Sequence, residues 1–190
     1  MTNKNKINKL FELLNQIPQN QRPNLLIYLD NEFIISYKGI LKSAYSRYKN
    51  EDVRNYDFNE RGDVLEFFTN IEYLINKIII AYLKIDYTNN EKADALLNTS
   101  DLFYKVKLLN EWGLFSSKDT ELFFCLKSIR NGFAHTWVIE SIKYKGKSYK
   151  QNISKFNEDA AIIWKLLLNI YKKYQIDIDE IIEKLELRNK

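Results

Sequence analysis

The chain has 190 residues, with a single histidine, a single cysteine, two prolines and five glycines. One cysteine excludes an intramolecular disulfide framework, and together with one histidine it excludes a Cys/His zinc site within one chain. The scarcity of Gly and Pro argues against a many-stranded sandwich or barrel, and a net charge of +4, from 29 Lys+Arg against 25 Asp+Glu, permits a nucleic-acid partner without requiring one.

Apolar residues recur at helical spacing almost throughout. Ile7, Leu10, Leu14 and Ile17 make a first stripe, ended by Pro18. A second helical segment is expected from Asn24 towards Tyr48, with a bend at Gly39. Residues 49–60 are polar and read as a loop. They separate a helical N-terminal extension, residues 1–60, expected to pack on the main domain, from that domain at residues 61–190.

The longest helix is expected over residues 63–85. Asp63 can cap it, and Leu65, Phe68, Leu74, Ile75, Ile78 and Leu83 supply a broad apolar face. A short helix follows over residues 91–97. Ser100 or Asp101 caps another through Leu109, which stops at Gly113. The next helix, residues 118–133, carries Leu122, Leu126, Ile129 and Phe133 on one stripe, with Gly132 disturbing its end.

The segment Lys143-Tyr144-Lys145-Gly146-Lys147-Ser148-Tyr149-Lys150 alternates around a glycine, as a small hairpin or extended loop would. Helix returns over residues 157–174. Asp177-Ile178-Asp179-Glu180 resembles a capping box that opens a final helix to Leu187. The predicted fold is an all-α helical bundle with one irregular excursion. Residues 1–9 are polar, and the apolar run from Ile78 to Leu83 is too short to span a bilayer. A cytoplasmic protein without a membrane partner is the expectation.

Many chemistries have no motif here: there is no Walker loop, dinucleotide-binding glycine turn, nucleophile elbow or His-Glu-x-x-His. Neither a metal nor a cofactor is expected. Cys125, beside Leu126, reads as a buried structural thiol. Helix capping accounts for Asp177, Asp179 and Glu180. Trp112, Trp137 and Trp164 read as core or dimer-interface aromatics.

The lone histidine lies in Ile129-Arg130-Asn131-Gly132-Phe133-Ala134-His135. This segment resembles the R-x-x-x-x-H signature of the HEPN superfamily of small α-helical domains, including the Asn after the Arg and the Ala before the His. Upstream, Lys105-Val-Lys-Leu-Leu109, Trp112-Gly113-Leu114-Phe115-Ser116, and Arg61-Gly62-Asp63 with the helix through Glu72 are similar to the mannitol-repressor-like and abortive-infection branch. The likeness covers residues 61–135, and the helices after it more loosely. It implies a HEPN-like bundle and a homodimer whose paired motifs face one cleft. It also implies a metal-independent endoribonuclease of anti-phage, abortive-infection or toxin-like defence, leaving 2′,3′-cyclic phosphate ends. An RNA substrate and an antitoxin or phage-encoded activator protein are the partners implied. The family also holds non-catalytic regulatory members, so a binding module is the alternative. Trp137 stands where some toxin members carry a modifiable tyrosine, so that mode of regulation is not implied.

The residue types suit metal-free RNA cleavage. The neighbouring 2′-hydroxyl attacks phosphorus, so the reaction needs a base, an acid and a cation for the phosphorane. Imidazole titrates near neutrality and serves as either acid or base. Arg130 offers a planar, permanently charged fork for a phosphate. Asn131 could place a phosphate oxygen or fix the imidazole tautomer; Glu72 and Glu66 are candidate ion-pair partners of Arg130, and Glu72 could orient Arg130 or the imidazole. Lys143, Lys145, Lys147 and Tyr149 are candidate RNA contacts through phosphate binding and base stacking. One chain supplies one imidazole, so a dimer bringing two copies of His135 together would supply both proton-transfer groups. Five helical steps put Arg130 and His135 about 140° apart. Either the helix deforms near Gly132, or the two residues act in different halves of a dimeric site.

Overall fold

The computed structural model describes residues 2–30, 32–37, 39–45, 56–86, 90–136 and 138–188. The chain divides into two compact units. The first comprises Met1–Ser46, Ile80–Thr99 and Lys172–Lys190; the second comprises Arg47–Ile79 and Ser100–Tyr171.

The first unit holds helix α1 (Asn3–Gln16), strands β1 (Leu25–Leu29), β2 (Glu32–Tyr37) and β3 (Ile40–Tyr45), helix α3 (Asn90–Asn98) and helix α7 (Ile178–Arg188). The strands form an antiparallel sheet in the order β1-β2-β3, with Ile27 opposite Ile34 and Ser36 opposite Leu41. Over residues 25–45 a sheet therefore replaces the helix expected from Asn24 towards Tyr48, of which residues 46–48 lie outside the described residues, and the fold is mostly helical rather than all-α. Two-residue connections break the segment after Leu29 and after Tyr37. Asp30 takes φ +50° and Gly39 takes φ +73°, the left-handed geometry that tight hairpin turns require. Gly39 is also sterically fixed, since a Cβ there would lie 2.1 Å from the Gln19 carbonyl oxygen. Arg22 pins the turn by donating from Nη1 to the Gly39 carbonyl (2.9 Å) and from Nε to the Ile17 carbonyl (3.1 Å).

The predicted stripe of α1 is buried as expected. Leu10, Leu14 and Ile17 pack with Leu25, Ile27 and Ile34 of the sheet and with Ile178, Ile181, Ile182 and Leu185 of α7. Ion pairs Lys6–Asp179 and Lys9–Glu186 run along the rim of the α1/α7 contact. Asp177 accepts from the Asp179 N–H (2.8 Å), while Glu180 pairs with Lys184 (2.8 Å). Thus Asp177 caps the helix, whereas Glu180 serves an i,i+4 pair.

The second unit holds α2 (Arg61–Tyr82) through Ile79, α4 (Leu102–Glu111), α5 (Ser117–His135), a hairpin of β4 (Lys143–Tyr144) and β5 (Lys147–Ser148), and α6 (Ile153–Tyr174) through Tyr171. Asp101 caps α4 by accepting from the Phe103 N–H (2.6 Å). Gly113, at φ +69°, ends it. The Leu114 N–H then bonds the Leu109 carbonyl (2.9 Å) and the Gly113 N–H bonds the Asn110 carbonyl (2.9 Å), the paired closure of a Schellman motif. Three residues later Ser116 and Asp119 form a reciprocal capping box, so α5 starts at a fixed place and angle.

Phe123, Leu126, Ile129 and Phe133 form the buried stripe of α5. Cys125 lies one 100° step outside that stripe and is exposed, which corrects the reading of a buried thiol. An aromatic cluster fills the core beside α5. Phe58 packs edge-on to Phe67 (5.2 Å) and Phe156 (5.1 Å), Phe156 meets Tyr144 (5.5 Å) and Tyr149 (5.3 Å), and Tyr149 meets Phe133 (5.2 Å). The predicted hairpin is present, and both central turn residues, Lys145 (φ +49°) and Gly146 (φ +82°), have positive φ. Among the described residues, no helix is long and apolar enough to cross a membrane.

Candidate active site

Helix α5 carries Arg130, Asn131 and His135 in its last turns and ends at His135. It stays helical through Gly132. That glycine admits the Ile142 side chain, whose atoms would lie 3.2–3.3 Å from a Cβ at this position. Close packing, and not a break in the helix, is therefore what Gly132 provides. The helix is thus not deformed near Gly132.

His135 and Asn131 are exposed and Arg130 is half-buried. Arg130 Nη1 donates to Asn131 Oδ1 at 3.3 Å. The long side chain thus reaches along the helix surface towards the residue one turn before His135. A second guanidinium arrives from α2: Arg61 Nη2 donates to the Ala134 carbonyl at 3.1 Å. That carbonyl belongs to the last turn of α5, where carbonyls lack helical partners and the helix dipole favours a cation. Arg61 is the first residue of α2 but precedes the helix expected over residues 63–85, and nothing in the sequence shows that its side chain reaches the end of another helix.

Glu72 does not meet Arg130. Lys105 donates to Glu72 Oε1 at 2.7 Å, and its side chain is only 2% exposed. Eleven residues of α2 separate Glu72 from Arg61, about 16 Å along the helix axis. The expected orienting role of Glu72 at the motif is therefore replaced by the pairing of a buried lysine. The signal for it was legible: Lys105 falls beside Leu102, Val106 and Leu109 on the buried side of α4, and a lysine there needs a carboxylate.

The hairpin residues separate into two kinds. Tyr149 is buried, with its hydroxyl donating to the Phe58 carbonyl at 2.7 Å, so it is a core residue and not a base-stacking one. Lys145 donates to Asp159 Oδ2 at 2.6 Å, and the buried Tyr144 hydroxyl donates to the same oxygen at 2.7 Å. Burial pushes the Asp159 carboxyl up, but hydrogen bonds from Lys145, Tyr144 and Lys155 outweigh it and hold the group below its ordinary range. Burial and the Asp159 contact together raise the Tyr144 phenol. Lys143 and Lys147 are exposed.

No family model, curated protein or solved structure matches this chain. Among the described residues, no group of three or more His, Cys, Asp or Glu side chains is placed to hold a metal ion. Trp137, between His135 and the exposed Val138, lies outside the described residues. At the end of α5 there is thus one accessible imidazole, one carboxamide and two guanidinium groups from two helices. Guanidinium and carboxamide groups can bind a phosphate and an imidazole can move a proton, but Arg130 and His135 lie about 140° apart on this one helix.

Proposed function

We propose that the chain is a metal-independent endoribonuclease of the HEPN type, working as a symmetric dimer in bacterial defence or growth arrest. The observation that carries this reading is the exposure of the only imidazole, His135, at a helix end that also collects Arg130, Asn131 and Arg61.

In this mechanism the 2′-oxygen of one ribose attacks the adjacent phosphorus and the bond to the departing 5′-oxygen breaks. A 2′,3′-cyclic phosphate and a 5′-hydroxyl result. One copy of His135 takes the 2′-hydroxyl proton as the P–O bond forms, and the second copy donates a proton to the leaving oxygen. Each transfer contributes about 10²–10⁴-fold. Arg130, held along the helix surface by Asn131, carries charge that pairs with the phosphorane oxygens. Arg61 fixes the end of α5, so the imidazole is presented from a rigid turn. A composite site also makes the 140° offset productive, because Arg130 of one protomer and His135 of the other can face one phosphate.

The test is cleavage of single-stranded RNA in EDTA by the wild-type chain, His135→Ala and Arg130→Ala, with sedimentation analysis of each. The wild-type chain cuts and is dimeric, and His135→Ala loses about 10²-fold or more. Intact RNA at high protein concentration, or equal cutting by His135→Ala, refutes the reading and leaves a regulatory binding module.

A further inference from the structure

We infer that the outer face of α4 and α5 binds single-stranded RNA, with Tyr104 as the stacking platform and the exposed Lys107 as its cation. Tyr104 is 69% exposed, so its ring does nothing for the core. It is nevertheless held in place. Phe103 packs edge-on against it, with centroids 5.5 Å apart and planes at 82°, and Phe103 in turn stacks on Phe124 at 5.0 Å and 25°. Three rings from two helices therefore make a buttressed aromatic step with one face left in water.

Cations flank that step. Lys107 Nζ lies 4.5 Å from the Phe103 ring centroid and Lys127 Nζ lies 6.0 Å from it. Asp101, the carboxylate beside Lys127, is paired with it at 3.1 Å. Aromatic faces interleaved with lysines suit a single strand, whose bases stack on the rings while phosphates meet the cations. A second copy of this chain fits less well. A self-complementary contact through this patch would leave the exposed Lys107 without a carboxylate of its own to meet, since Asp101 is already paired with Lys127.

The patch is also aligned with the motif. On α5, Phe124, Asn131 and His135 fall within about 40° of one another, with Lys127 about 60° to one side of Phe124. From Phe124 to His135 the helix rises about 16 Å, the reach of a few nucleotides. A strand stacked at Tyr104 and running along this face of α5 meets Asn131 and then His135. The choice of RNA as the strand rests on the ribonuclease reading; the stacking surface itself does not.

The experiment measures fluorescence anisotropy of a short, unstructured, fluorescein-labelled RNA in EDTA. His135→Ala is the background, so that the probe stays intact. Tyr104→Ala in that background weakens binding by roughly 5- to 150-fold, the range for one lost base–aromatic stack. Tyr104→Phe keeps most of the affinity because the ring is retained. Lys107→Gln lowers the slope of log affinity against log salt by about 0.7, one phosphate contact on a single strand. Matching thermal melts show that the exposed substitutions leave the fold intact.

Unchanged binding by Tyr104→Ala overturns the proposal, as does equal weakening by Tyr104→Phe. So does a change in sedimentation with RNA affinity unaltered, which would make the face a protein interface. The two readings separate cleanly. If the wild-type chain leaves RNA uncut while Tyr104→Ala weakens binding, the ribonuclease reading falls and the surface stands. If the chain cuts RNA while Tyr104→Ala changes neither binding nor rate, the surface falls and the ribonuclease reading stands.

Discussion

Replacing Gly132 by alanine sets two effects of opposite sign against each other. Removing a glycine from a helix interior stabilises it by up to about 1 kcal/mol, and by less in the last turn, where Gly132 lies. Against this, the new Cβ would sit 3.2 Å from Ile142 Cγ1, 3.2 Å from Cγ2 and 3.3 Å from Cδ1. Overpacking by one carbon in a filled site costs about 1–3 kcal/mol. Whether Ile142 can retreat decides the balance. It is 6% exposed, its N–H donates to the Ile139 carbonyl (3.1 Å), and its carbonyl accepts from the Tyr149 N–H (2.9 Å). With its backbone held on both sides and its side chain buried, Ile142 can give way only by leaving its packed rotamer, and Gly132→Ala is expected to lose about 1–2 kcal/mol.

Ile142→Ala removes all three opposing carbons. By itself it costs about 2–4 kcal/mol as a cavity mutation. In that background Gly132→Ala gains about 0.5 kcal/mol, because only the reduced helix term of the last turn remains. Urea unfolding of the four proteins gives the coupling directly, with an expected value near 2 kcal/mol. Stabilisation by Gly132→Ala in the wild-type chain, or a coupling below about 0.5 kcal/mol, would refute the packing argument.

Asp159→Asn removes the charge that receives Tyr144 and Lys145, and lowers stability by about 2–3 kcal/mol in urea unfolding at neutral pH. The Asp159 carboxyl sits below its ordinary range in the folded chain, so its contribution is present above the unfolded value and is lost as pH falls through the folded one. The gap between wild type and Asp159→Asn should therefore stay level at neutral pH and close below about pH 4. Glu72→Ala leaves the buried Lys105 ammonium without its carboxylate, with an expected loss of about 2–3 kcal/mol by the same assay; replacing both residues by Met should restore most of it, and failure to do so would mean that the pair is not the cause. Cys125 is exposed, so the native protein should react at once with a thiol-specific chromogenic disulfide, without denaturant.

Where local chemistry decides an element, the sequence was a good guide. Asp101 and Gly113 mark the ends of α4, and Gly146 marks the hairpin. The sheet was missed because the run Leu25-Leu26-Ile27-Tyr28-Leu29 and the residues after it satisfy helical and strand spacing alike. What separates strand from helix here is Asp30-Asn31 and Lys38-Gly39, two-residue turn sequences eight residues apart. Tyr149 and Lys145 could not be placed from their neighbours, since their partners Phe58 and Asp159 lie 91 and 14 residues away. At the motif, the positions of Arg130 and His135 on one helix were legible. The arrival of Arg61 at Ala134, 73 residues distant, depends on how α2 and α5 pack and has no local signature.

The amide of Gln175 has a consequence for how the sheet ends. It accepts from the Tyr28 N–H (2.9 Å) and donates to the Tyr28 carbonyl (2.9 Å). That is the pair of bonds an adjoining strand would make on the outer side of β1, made here by a single side chain. Lys172 adds a positive charge 4.9 Å from the Tyr28 ring, and a lysine beside a strand margin deters another chain from adding to it. The β1 side of this small sheet is thereby sealed against growth, so a neighbouring molecule seeking to extend it must first displace Gln175.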